Sequence, residues 1–390
     1  MRLSLLLAIL PVVLGAPTVK RDEPAPLIAA RDSDKVIPGK YIVKFKEGSA
    51  LASADDEFSI MSQSADIVFK NIIHGFAGSL DEKALEDLRN HPDVDYIEED
   101  SIVELDAYTS QPGATWGLAR ISSRRPGGST YTYDDSAGSG TCSYILDTGV
   151  DASHRDFGGR AAQIRSFIPG ESTDGHGHGT HCAGTVGSTT YGVAKKTQIY
   201  GVKVLSNAGS GSTSGIVGGM DFVASDSRSR SCPRGVFVNM SLGGGYSSAL
   251  NNAAANMVRN GIFLAVAAGN DGRDAQNTSP ASEPSACTVG ATTSSDGRAS
   301  FSNYGRVVDI FAPGQSITSL RPGGGTTQMS GTSMAAPHIC GLGAYLASFE
   351  GNKDPQAMCR RIQELAHKNI LSGIPAGTQN LLAFNGNPSG

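Results

Sequence analysis

Gly331-Thr332-Ser333-Met334-Ala335-Ala336-Pro337-His338, continued by Ile339-Cys340-Gly341, reads as a loop turning into a helix. Thr332 is a capping residue type, and the run from Ala336 through Leu342 and Ala344 to Leu346 is small and apolar at buried-helix density. A serine at the N-terminus of a buried helix lies where backbone N–H groups and the helix dipole favour negative charge. Acyl transfer needs its nucleophile in such a place, because the reaction creates an oxyanion beside it. A lone serine at a helix start is an N-cap and nothing more. Two further stretches supply the partners that change this reading.

The first is Tyr144-Ile145-Leu146-Asp147-Thr148-Gly149, a buried-strand pattern ending in an aspartate. In an open α/β sheet, sites form at the carboxyl ends of the strands. Asp-Thr-Gly also suggests an aspartic protease, but that mechanism takes two such carboxylates and there is no second copy. The second stretch runs Asp174-Gly175-His176-Gly177-His178-Gly179-Thr180-His181-Cys182 and on to Thr185, a glycine-rich loop entering a helix. Asp, His and Ser in this chain order form one of the known triad orders. Ser333 attacks, His178 takes and returns its proton, and Asp147 holds the imidazole's tautomer and stabilises its charged form. Ala267-Ala268-Gly269-Asn270-Asp271-Gly272 follows the apolar strand Phe263–Ala267, and offers the Asn270 side-chain N–H to the oxyanion beside the Ser333 backbone N–H.

Rival readings are weaker. His176, His178, His181 and Cys182 have the residue types of a zinc cluster, but the interleaved glycines and the matching Asp and Ser stretches favour the triad. The serine stretch lacks the second glycine of G-x-S-x-G, and the triad order is not that of α/β-hydrolase lipases. No triad position is substituted, which argues against an inactive peptide binder.

With 390 residues the chain suffices for one large domain and a smaller one, and its 49 glycines and 18% charged residues suit a loop-rich α/β enzyme. Residues 1–15 have the pattern of a secretory signal: Arg2, an apolar run from Leu3 to Leu14, then Gly15, too short to span a bilayer. No later run is apolar enough for a membrane span. Pro17–Ala107 carries 10 Lys+Arg against 20 Asp+Glu, whereas the rest, from Tyr108 on, carries 21 against 17. An acidic first part on a mildly basic second part favours their association, and no Lys/Arg block is dense enough for nucleic acid. Residues 16–39 read as a flexible leader. Strand Tyr41–Phe45, helix Leu51–Ser62, strand character over Ile67–Leu80, helix Asp81–Leu88 and a last strand from Val94–Ile97 with Ile102–Leu105 give a ferredoxin-like β-α-β-β-α-β order.

Beyond the turn-rich Thr109–Gly113, strands expected at Cys142–Leu146, Gln198–Leu205, Val236–Met240, Phe263–Ala267, Cys287–Thr292 and Val307–Phe311 alternate with helices. The helices are expected at His178–Val186, Ser212–Ala224, Ala249–Asn260, Thr332–Ser348 and Pro355–Leu365. That alternation predicts an α/β domain with a mostly parallel sheet covered on both faces. All six cysteines lie beyond residue 140, without C-x-x-C, and spacing alone sets no connectivity.

These stretches together resemble the subtilisin-type serine proteases, and among them the proteinase K group with the secreted fungal cuticle-degrading proteases. Asp-Thr-Gly, His-Gly-Thr-His and Gly-Thr-Ser-Met-Ala-x-Pro-His occur in family order and spacing, and the resemblance spans the whole precursor. It implies a signal peptide over 1–15, an inhibitory propeptide over 16–108 with its folded part at about 40–105, and a peptidase domain over 109–390, the cut falling after Tyr108. It implies a secreted, monomeric endopeptidase of broad specificity that cuts after apolar or aromatic residues and processes itself.

The same resemblance makes His178, rather than His176 or His181, the base. Ser241-Leu242-Gly243 and Gly209-Ser210-Gly211 become facing edges with which substrate backbone pairs, and Ala267-Ala268-Gly269 the walls of the primary pocket. Thr213 stands where proteinase K carries a tyrosine at an outer pocket. Disulfides are implied at Cys142–Cys232 and Cys287–Cys359, with Cys182 a buried thiol. Cys340 replaces an alanine, so a further thiol or a Cys182–Cys340 bridge stays open. A structural calcium ion (Ca2+) is implied on the Asp309 carboxylate with the carbonyls of Pro284 and Ala286, while Ile370 takes the place of a second site's carboxylate.

Overall fold

The computed structural model describes residues 23–30, 35–48, 65–102 and 108–390. The expected signal at 1–15 and helix at Leu51–Ser62 lie outside these. The chain divides into two compact units, Met1–Leu105 and Asp106–Gly390.

The first unit is a five-stranded sheet, in the spatial order Leu27–Ile28, Val94–Ser101, Val36–Phe45, Gly75–Ser79, Ala65–Phe69. Helix Glu82–Arg89 is capped by the Asp81 carboxylate, which accepts the Ala84 N–H at 2.7 Å. Val43, Phe45, Phe76, Leu88, Val94 and Ile97 form its core. Two expectations change. The stretch read as leader contributes a strand, because Leu27–Ile28 pairs in parallel with Ile97 and Glu98 while Ala25 is buried. Among the described residues the last strand is Val94–Ser101 and Ile102 beyond it is exposed, while 103–105 of the expected run lie outside the described residues.

The second unit is built on a nine-stranded sheet. From one edge it runs Ala161–Ser166, Gln198–Lys203, Cys142–Asp147, Val236–Met240, Phe263–Ala267, Cys287–Thr292, Ile310–Pro313, Leu381–Leu382 and His367–Lys368, parallel except for the last pair. Side-chain alternation assigns the faces. Ile145, Phe237, Phe263, Ala265 and Ala267 pack with the helices His178–Gly187 and Thr332–Glu350. Tyr144, Leu146, Val238, Leu264 and Val266 pack on the other face with Thr213–Asp226 and Ser248–Arg259. Parity therefore puts Asp147, two residues from Ile145, on the face that carries both His178 and Ser333.

Half-exposed Ala161–Ser166 lacks a readable pattern, and the two-residue strands at the far edge are too short to signal themselves. The strand expected at Val307–Phe311 is Ile310–Pro313, so Asp309 stands just before it. Tyr108, expected to end the propeptide, opens strand Tyr108–Pro112, which pairs with Thr130–Asp134, and its ring meets Phe349 edge-on at 6.2 Å. That residue belongs to the second unit. Disulfides join Cys142 to Cys232 and Cys287 to Cys359, while Cys182 and Cys340 are separate buried thiols.

Candidate active site

Helix Thr332–Glu350 is the central element of the second unit. From Gly331 to Ser348 every residue is buried except Ser333, so the serine is the point at which the N-terminal end of this helix reaches the surface. Its N–H belongs to the first helical turn, where amides have no intrahelical acceptor. Pro337 sits four residues on and has no N–H to give to the Ser333 carbonyl. That freed carbonyl accepts instead from Ser241 Oγ at 2.8 Å and from Cys182 Sγ at 3.3 Å. The Ser333 hydroxyl donates to the Ser241 carbonyl at 3.1 Å.

Asp147 is fully buried, and its Oδ1 is 2.7 Å from His178 Nδ1. The approach depends on Gly179, where a Cβ would lie 2.1 Å from the Gly149 carbonyl oxygen, and on left-handed Gly177 (φ 98°) at the helix start. Burial works against the charged imidazole, but the Asp147 carboxylate overrides it and holds His178 well above its ordinary value of 6.5. The other two histidines in reach behave differently. Burial pushes His181, on the Ile317 carbonyl, and His338, on the Met334 carbonyl, down to about 4 each. His176 is exposed.

Asn270 lies at the end of strand Phe263–Ala267. Its Oδ1 accepts the Thr332 N–H at 2.7 Å and the Thr332 hydroxyl at 3.0 Å. With the oxygen engaged, the amide Nδ2 is the group left to donate. Thr332 also accepts the Gly269 N–H at 3.1 Å, and a Cβ on Gly269 (φ 104°) would lie 2.4 Å from Asn303 Nδ2. Ala267 and Ala268 are buried beside it, as are Ser241 and Leu242, whereas Gly243 and the loop Gly209-Ser210-Gly211 are exposed.

Sequence reasoning missed the residues that hold these groups. Buried Asp174 accepts the Thr148 hydroxyl, the His176 and Gly177 N–H groups, and both the N–H and hydroxyl of Thr180, which fixes the loop into His178. Lys203, fully buried, donates to the Thr148 carbonyl at 2.7 Å and to Asn207 Oδ1 at 2.9 Å. A charged residue inside a strand core was the one available signal for Lys203.

Asp309, the carboxylate implied for calcium, is half-buried. Its Oδ2 accepts the Thr288 N–H at 2.8 Å, burial raises the carboxyl to about 6, and among the described residues no cation pairs with it. Such an unneutralised carboxylate suits a hard cation. Cys287 and Cys359 lie close to it but are bonded to each other and offer no thiolate.

The Subtilase family model matches residues 138–381, and the Peptidase inhibitor I9 model matches 40–106. The chain belongs to the subtilase family. It is 59% identical over 388 residues to a cuticle-degrading protease of Metarhizium anisopliae, covering 99% of this chain and 100% of that protein. It is 61% identical over 390 residues to a subtilisin-like serine protease of Sarocladium strictum, covering 100% of both. It is 59% identical over 389 residues to proteinase R of Parengyodontium album, covering 99% of both. A solved cold-adapted subtilisin-like serine proteinase superposes with a TM-score of 0.65 at 42% identity, over 70% of this chain and 98% of that one. This subtilase is thus a proteinase K-like serine endopeptidase with an inhibitor I9 propeptide. Among the described residues no helix is long and apolar enough to cross a membrane.

Replacing Asp147 by Asn removes the charge that holds His178 up and leaves the burial that pushes it down. The imidazole of Asp147→Asn is expected to titrate below the wild-type value, as read from the His178 ring protons by NMR across pH.

Proposed function

We propose that this subtilase is a secreted, self-processing zymogen whose mature form hydrolyses peptide bonds after apolar or aromatic residues. The observation that carries the reading is the buried Asp147 carboxylate on His178 Nδ1, on the sheet face from which Ser333 emerges. Ser333 Oγ attacks the carbonyl carbon as its proton passes to His178 Nε2. Bound to Asp147 at Nδ1, the ring keeps Nε2 as its acceptor and is stabilised when charged. The oxyanion receives the Ser333 N–H and Asn270 Nδ2. His178 then gives its proton to the leaving amine, and water repeats the sequence on the acyl-enzyme.

Substrate backbone pairs with the edges Ser241-Leu242-Gly243 and Gly209-Ser210-Gly211. The small walls Ala267-Ala268-Gly269 admit a large apolar side chain before the cut. The propeptide inhibits the domain it precedes, and the enzyme acts as a monomer on proteins and peptides, with no nucleic-acid partner. The cut falls before Tyr108, because that residue pairs and packs within the peptidase unit. Asp309 with the carbonyls of Pro284 and Ala286 would hold one calcium ion, which would supply the positive charge this half-buried carboxylate lacks. It has no part in the reaction.

Expression of wild type and Ser333→Ala side by side tests the reading. The wild type is expected to mature to a chain that retains Tyr108 and to cleave a peptide with Phe before the cut. Ser333→Ala is expected to stay an uncut precursor without activity, and a mutant that matures and cleaves like wild type would remove Ser333 from the mechanism. Asn270→Ala is expected to lower kcat by about 10²–10³, with little change in KM, the loss measured for this donor in subtilisin itself. Calcium at about 100 times its Kd is expected to stabilise the wild type by about 2.7 kcal/mol and Asp309→Asn far less, measured by thermal unfolding of the inhibitor-blocked enzymes.

A further inference from the structure

His176 is the exposed imidazole beside the triad, and the reaction does not use it. Its ring stands edge-to-face against that of His178, with centroids 6.2 Å apart, across left-handed Gly177. The residue is exposed, and among the described residues no group hydrogen-bonds either of its ring nitrogens; only its backbone N–H is held, by Asp174 Oδ1 at 3.2 Å. Facing it is Gly209, where a Cβ would lie 3.1 Å from His176 Nε2, so the missing side chain there makes room for the ring.

His178 is already prepared as a ligand. A metal-binding imidazole commonly donates its second nitrogen to a carboxylate, which fixes the ring and raises the basicity of the ligating nitrogen. Asp147 holds Nδ1 in this way at 2.7 Å, and the His178 side chain remains 19% exposed. Two imidazoles sharing one ion at metal–nitrogen distances of about 2.0–2.1 Å bring their centroids to about 5–6 Å. The observed 6.2 Å lies just beyond that range, and exposed His176 is the ring that would have to turn. Imidazole suits zinc, copper and nickel, whereas calcium takes oxygen ligands and does not compete.

We propose that His176 and His178 form a two-imidazole site for a divalent cation of the zinc class, and that its occupation takes the His178 Nε2 lone pair from Ser333 and reversibly stops hydrolysis. This rests on His178 acting as the base. Water completes the coordination, and no bond of the protein is made or broken. The other group of potential ligands, Asp147, His178 and Cys182, converges within 4.8 Å but would take Nδ1, which is already bonded to Asp147.

The test uses the processed enzyme in calcium-saturated, chelator-free buffer, with ZnCl2 titrated against peptide hydrolysis and, separately, by calorimetry. Wild type, His176→Asn and His176→Gln are each compared with their own zinc-free rate, and the second variant serves if the first does not fold. Wild type is expected to bind one zinc and to lose activity with the same concentration dependence, recovering when zinc is withdrawn and calcium restored. Either variant is expected to need about tenfold or more zinc for both effects. Equal zinc sensitivity in wild type and variants overturns the proposal and points to the Cys182 group. No hydrolysis without zinc would instead defeat the peptidase reading, and calorimetry on the same proteins would still decide whether His176 holds the ion.

Discussion

A helix with apolar or small residues on every side has no face to turn to water, and Thr332–Glu350 is such a helix. It must lie inside the molecule, with sheet and helices packed around it. Apart from its last two residues, its first turn is where it meets solvent. Ser333 occupies that turn, and the helix dipole and unpaired N–H groups arrive with it. Core formation and delivery of the nucleophile are therefore one event. The strands on which this helix packs end at Asp147, Met240 and Ala267, so the aspartate, the Ser241 contacts and Asn270 are gathered at one rim of the sheet.

Close approach at that rim is bought by missing atoms. Gly179 lets the histidine helix touch the Gly149 carbonyl, and Gly269 lets its loop reach Asn303. Pro337 withholds an N–H, which turns the Ser333 carbonyl toward Ser241 and Cys182 and fixes the serine backbone from outside the helix. Buried polar groups then lock the arrangement. Asp174 accepts five hydrogen bonds from the loop before His178 and its neighbours, and Lys203 ties the Thr148 carbonyl to Asn207. Satisfied networks of this kind are rigid because each unpaired member would be costly.

The electrostatics separate three histidines of one sequence neighbourhood. His178 has a buried carboxylate and is held up, while burial pushes His181, which has no such carboxylate on its ring, down to about 4. His176 keeps its ring in solvent. The same Asp147 contact that suits His178 to proton transfer also suits it to a metal ion, so catalytic fitness and exposure to metal inhibition share a cause.

Sequence by itself determined the alternation of strands and helices, the parallel sheet, and the candidate stretches around Asp147, His178, Asn270 and Ser333. Short-range periodicity and glycine-rich motifs are written in neighbouring residues, so they are legible without a fold. The strands at Leu27–Ile28 and Leu381–Leu382 were not legible, because a two-residue strand exists only through its distant partner. The placement of Tyr108 in the second unit was decided by Asp134 and Phe349, far along the chain. Only tertiary structure showed that Thr332 holds the Asn270 oxygen and so presents its amide, that Asp174 and Lys203 brace the site, and that Asp309 is a half-buried carboxylate without a cation among the described residues. Most of these depend on groups that meet across tens of residues. Their geometry is set by packing, and packing is not a property of any local stretch.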